Sequence, residues 1–155
     1  MNIKKHIAIL ISFLVLSITG VQAADVTQGK NANGVILNGY DAVAYFTQSK
    51  PVEGSANYTA VHNNAIYQFS SAKNRDAFNE NPSKYEPQFG GFCAYGTALG
   101  KKFEVNGKAF EVVGGKLYVN KDENVYDTWV KEKSSNIEKA HQQWPEIKHI
   151  AASKL

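Results

Sequence analysis

Between residues 25 and 155 the apolar positions come in short runs, each closed by asparagine, glycine or proline. Alternation in Ala65-Ile66-Tyr67-Gln68-Phe69 predicts a strand. Asn63-Asn64 before it predicts a two-residue turn back to a partner at 58–62, because asparagine tolerates positive φ. The clearest hairpin lies at 109–113 and 116–119, joined by Gly114-Gly115. Phe103-Glu104-Val105, followed by Asn106-Gly107, reads as one more strand and turn.

Helical spacing marks the other runs. Val43, Tyr45 and Phe46 predict a buried helical turn after the Asn38-Gly39 turn. Asp41 is placed to cap it. Ser70 or Ser71 suits the N-cap of a helix ending near Phe78 or Asn79, and Pro82 suits the first turn of another at 81–85. Residues 93–99 predict a helical turn closed by Gly100. Val125 with Trp129, and Ile137, Ala140 and Trp144 on one stripe, predict a C-terminal helical pair. Ser134-Ser135-Asn136 is expected to separate the pair and Pro145 to end it. The order predicts an α+β domain over 35–147: a small antiparallel sheet built from hairpins, covered by short helices and the C-terminal helical pair. Residues 25–34 read as a flexible N-terminal arm, 47–57 as an exposed loop, and 148–155 as a frayed tail.

Residues 1–24 carry a different pattern. A short basic stretch to His6 precedes an apolar run from Ile7 to Ile18, and small residues follow. This reads as a signal peptide cleaved after Ala23 or Ala24, hence a periplasmic or secreted protein with no membrane span in its mature chain. Setting aside Lys4 and Lys5 of that leader brings 17 basic residues to 15, against 14 acidic. So even a balance gives no reason to expect nucleic acid as a partner.

Export sharpens the reading of the single cysteine, Cys93, which lies in Gln88-Phe89-Gly90-Gly91-Phe92-Cys93-Ala94-Tyr95-Gly96. It cannot form an internal disulfide. A lone thiol in an oxidising compartment is buried, paired with another molecule, or reactive.

Several separated motifs resemble a known family. Tyr67-Gln68-Phe69-Ser70-Ser71, then Phe78, then Asn81-Pro82-Ser83-Lys84-Tyr85 resembles the YHS domain. The stretch from Gly39 to Phe46, the cysteine segment, Gly114-Gly115-Lys116-Leu117-Tyr118 and Trp144-Pro145 resemble the exported YHS-domain (seleno)protein group. The resemblance spans residues 35–145. It implies a metal site made by two cysteines, but those positions are Ser70 and Asn74 here, so that site does not carry over. It also implies a working sulfur, because some members have selenocysteine at the position of Cys93.

Three functions are therefore weighed. In the first, Cys93 is a redox thiol or soft ligand, with Tyr95 as hydrogen-bond donor and a small thiol or a redox protein as partner. In the second, Cys93, His62 and His141 hold copper or zinc. In the third, the domain binds without catalysis, Cys93 is structural, and Tyr40, Tyr45 and Phe92 line a pocket. No paired carboxylates, serine triad or phosphate loop points to a hydrolase or nucleotide enzyme.

Overall fold

A computed structural model describes residues 26–155; the leader and its cleavage site lie outside the described residues. Among the described residues, two antiparallel hairpins and six α-helices make an α+β fold. α1 (Ala42–Thr47) starts at Asp41, whose carboxylate accepts the backbone N–H groups of Val43 and Ala44. β1 (Ser55–His62) and β2 (Ala65–Phe69) turn at Asn63 and Asn64, both left-handed at φ 48° and 59°. That is the geometry a two-residue hairpin needs to match strand twist. A register irregularity between Ser55, opposite Phe69, and Thr59, opposite Gln68, leaves the three residues between them off the ladder. β2 alternates buried and half-buried residues, with Ala65, Tyr67 and Phe69 inward.

α2 (Ala72–Glu80) is capped by Ser71 and buries Phe78; α3 (Pro82–Tyr85) opens on its proline and buries Tyr85. α4 (Ala94–Ala98) follows Cys93. β3 (Phe110–Val113) and β4 (Lys116–Val119) pair across Gly114-Gly115. α5 (Glu123–Trp129) is capped by Asp122 and leads through a tight turn into α6 (Lys133–Ile147). The hairpins stay separate as two two-stranded sheets. Each is tied to a loop by a parallel bridge, Val35 with Ile66 and Pro87 with Leu117. One apolar cluster joins the first hairpin to α1, α2 and Cys93; a second joins α4 and α6 around Trp129, Phe89 and Tyr118.

Four expectations change. Residues 103–105 form no strand; the Phe103 carbonyl instead accepts the N–H of Cys93 at 3.0 Å. Ser134-Ser135-Asn136 lies inside α6, because the Asn136 side chain reaches back to the Trp129 carbonyl at 2.9 Å and satisfies the end of α5 without leaving the helix. Pro145 also lies inside α6: the helix runs two residues further, where Ile147 is buried and the Lys148 N–H bonds the Trp144 carbonyl. The terminal segments are not loose. The Gly29 N–H donates to the Gly90 carbonyl at 2.8 Å, and Lys30 bridges Ile36. This close approach needs a glycine at 90, since a Cβ there would overlap the Thr27 carbonyl.

One side chain clamps both termini. Lys102 is 4% exposed, and its ammonium donates to the carbonyls of Val26 (2.9 Å), Lys148 (2.7 Å) and Ile150 (2.7 Å). It also lies over the rings of Phe92 and Trp144, 5.1 and 5.5 Å from their centroids. A buried ammonium is tolerated only when its donors are satisfied, so these carbonyls are fixed in place with it. Lys101 adds a bond to the Leu155 carbonyl at 2.5 Å. No helix among the described residues is long and apolar enough to cross a membrane.

Candidate functional site

Cys93 is the N-cap of α4. Its Sγ accepts the N–H of Gly96 at 3.3 Å, and its thiol donates to Asn120 Oδ1 at 3.6 Å. The residue is 1% exposed. Burial pushes the thiol above its usual pKa; N–H groups of Gly96, Lys121 and Tyr95 offset this in part, and the Asp122 carboxylate adds to the rise. A reactive cysteine needs the opposite, access and a stabilised thiolate. The glycine pair therefore does not present the sulfur; it turns the chain so that the sulfur points inward.

Tyr95 takes another part than expected. Its backbone N–H, not its phenol, belongs to the cysteine's surroundings, and it donates to Asn120 Oδ1 at 3.1 Å. That bond also fixes the Asn120 amide, because a flipped amide would set two donors face to face. Asn120 Nδ2 is left buried with no partner among the described residues.

The metal triad is not assembled. Among the described residues no group of three or more His, Cys, Asp or Glu side chains is placed to hold a metal ion. His62 Nε2 pairs with Glu86 Oε2 at 3.0 Å beside the hairpin turn. His141 lies against the Phe89 ring at 5.0 Å, with Nε2 3.3 Å from the Tyr118 hydroxyl. Loss of solvent around His141, and then the charge of Lys116, lower its pKa.

Tyr40, Tyr45 and Phe92 do not line one pocket. Tyr40 and Tyr45 are core residues: the Tyr45 hydroxyl donates to the Gly107 carbonyl at 2.6 Å, and Tyr40 packs where Gly107 leaves room. Phe92 lies instead beside Trp144 under the Lys102 ammonium.

At Ser70 and Asn74 the structure holds a carboxylate in place of a thiolate pair. Asp41 is fully buried, and its Oδ2 accepts Ser70 N–H (2.8 Å), Ser70 Oγ (2.6 Å) and Asn74 Nδ2 (2.7 Å). With the two helix N–H groups on Oδ1, five donors surround one carboxylate. This is a closed structural knot joining α1, β2 and α2.

The open feature lies elsewhere. A groove of about 530 Å³ runs between the arm, the β1–β2 turn, residues 86–90 and the C-terminal end of α6. Gln28, Asn63, Glu86, Gln88, His141 and Trp144 line it; Cys93 does not. The Glu86 carboxylate is oriented by His62 and by Asn63 Nδ2 at 3.3 Å. Phe89 on its wall is left-handed (φ 56°, ψ 35°), a conformation costing a bulky residue about 1–3 kcal/mol. That backbone sends the Phe89 ring into the aromatic cluster with Tyr118, His141 and Trp144. The Lys102 clamp fixes the carbonyls of Val26 and Lys148 beside two of the groove's walls. Sequence reasoning misses the groove because its walls are remote in the chain. The visible signals are Asn63-Asn64, which reads as a hairpin turn, and the imidazole of His141, which reads as a metal-ligand candidate.

No family model, curated protein or solved structure matches the chain.

Proposed function

We propose that the protein is an exported, non-catalytic binding domain of the YHS type, with a structural cysteine and the groove as its working surface. One contrast carries this reading: the Cys93 sulfur is sealed and hydrogen-bonded, while the polar groove is open and lies apart from it. Concave sites with convergent polar groups on a rigid frame are where ligands bind. The groove has such a frame, in the two hairpins, α6 and the Lys102 clamp.

The second reading keeps thiol redox or soft-ligand chemistry at Cys93. What favours it is the Nδ2 of Asn120, which has no partner among the described residues and whose Oδ1 already faces the thiol. Oxidation by a peroxide would add an oxygen able to accept a hydrogen bond, giving a sulfenic acid and water. Trapping with a sulfenic-acid-specific diketone separates the two. The folded protein exposed to hydrogen peroxide gives no adduct under the first reading; rapid, stoichiometric adduct at Cys93 without unfolding overturns it.

A further inference from the structure

We propose that the groove takes a neutral saccharide, with Trp144 as platform for the C–H face of a sugar ring and carboxamides as partners for its hydroxyls. The inference rests on the groove being the working surface, and it names the class of ligand.

The lining chemistry is unusual for a cavity of this size. Four residues that carry carboxamides, Gln28, Asn63, Asn64 and Gln88, line one space of about 530 Å³, the Asn63 Nδ2 being engaged by Glu86. A typical small-molecule pocket is mostly apolar with few polar groups. A lining so rich in amides is a poor match for a lipid or other apolar ligand, whose entry would strip water from groups it cannot pair with. Each carboxamide both donates and accepts, and so does each hydroxyl of a sugar, so the two sets satisfy each other without net charge.

Charge argues the same way. Glu86 and Lys148 supply one carboxylate and one ammonium, so the lining has no excess of either sign apart from its imidazoles. Glu86 is held by His62 and Asn63 and offers an oriented acceptor, which suits a hydroxyl and repels a phosphate or carboxylate. The aromatic part fits too. Trp144 is half-buried, with Phe89 and Phe92 packed against it at 6.1 and 6.2 Å between centroids. The Lys102 ammonium covers one face of the Trp144 ring and the ring borders the groove, so apolar ring surface stands next to hydrogen-bonding groups, the two kinds of surface a pyranose presents.

The two tryptophans provide an internal control, since Trp129 is fully buried in the second core cluster and Trp144 lines the groove. The ¹⁵N-labelled protein is titrated with neutral hexoses, N-acetylhexosamines and their disaccharides, and in parallel with glucose 6-phosphate, glucuronate and inorganic phosphate. Expected are saturable shifts of the Trp144 indole and of the Asn64 and Gln88 amides with at least one neutral sugar, an unmoved Trp129 indole, and a dissociation constant on the order of 1 mM. Asn64→Gly keeps a residue suited to the left-handed turn and removes one amide; Gln88→Ala removes another. Each is expected to weaken binding about fivefold, the worth of about one hydrogen bond. No saturable shift with any neutral sugar, shifts with the anions alone, or unchanged affinity in both variants would overturn the proposal. The reading of Cys93 as structural would survive any of these results, because it fails only on the reactivity of the thiol.

Discussion

The thiol of Cys93 and the side-chain oxygen of Asn120 lie 3.6 Å apart, and the same oxygen takes the Tyr95 N–H at 3.1 Å. Asn120 follows β4 and Cys93 precedes α4, so this contact locks the second hairpin to the start of a helix. It makes the cysteine a capping residue that both donates and accepts. Serine has the same two capacities, alanine neither. Cys93→Ala should cost about 2 kcal/mol, from a lost cap and a small cavity. Cys93→Ser should cost less, about 1 kcal/mol, because an oxygen keeps the cap but burial disfavours it. Denaturant melts of the two variants check the order.

Raising the pH should weaken the fold. Burial holds the Cys93 thiol and the Tyr45 and Tyr67 phenols above their ordinary pKa values. The folded chain therefore keeps protons that the unfolded chain releases, starting above about pH 8.5 for the thiol and about 10 for the phenols. Stability is complete below those values and is lost as pH rises through them. Melting temperature measured from pH 7 to 11 should fall, and the earliest part of the fall should be absent in Cys93→Ala.

Asp41→Asn should be severe. The carboxylate accepts five hydrogen bonds, two of them from the Ser70 and Asn74 side chains. An amide there offers one acceptor oxygen and turns a donor toward other donors. The expected loss is about 3 kcal/mol or more, in line with breaking a buried charge network. Equilibrium unfolding in urea measures it, and a loss under about 1 kcal/mol would contradict the five-donor account.

Lys102→Met tests the clamp. It keeps the apolar stem and removes the ammonium that holds Val26, Lys148 and Ile150. The cost should be about 2–4 kcal/mol, as for hydrogen bonds to a charged group. Amide exchange should quicken at Gly29 and at Lys148–Ile150 more than in β2, since the released segments open locally.

Local signals in the sequence located the hairpins well. Asn63-Asn64 and Gly114-Gly115 encode their turns by backbone preference alone, and the caps at Asp41 and Ser71 act within three residues. What local pattern could not carry were contacts chosen at long range. Asn136 reads as a helix breaker until the Trp129 carbonyl gives its side chain a partner. Lys102 carries no local signal, because the three carbonyls that bury it lie far from it in the chain, before and after it. Cys93 stood out by rarity and glycine neighbours, yet whether its sulfur faced in or out depended on Asn120, 27 positions away. The candidate metal triad failed for the same reason: each histidine takes a partner remote in the chain, Glu86 for His62 and Tyr118 for His141.

The central claim is that the Cys93 sulfur is closed off in the native fold. It is tested most directly by the rate at which Cys93 reacts with a maleimide across a denaturant series below the unfolding transition. If the sulfur is structural, labelling requires opening, and its free energy falls with denaturant along the slope of global or large sub-global unfolding. Labelling in water at the rate of an unfolded peptide, unaffected by denaturant, would contradict the account and return the sulfur to the working site.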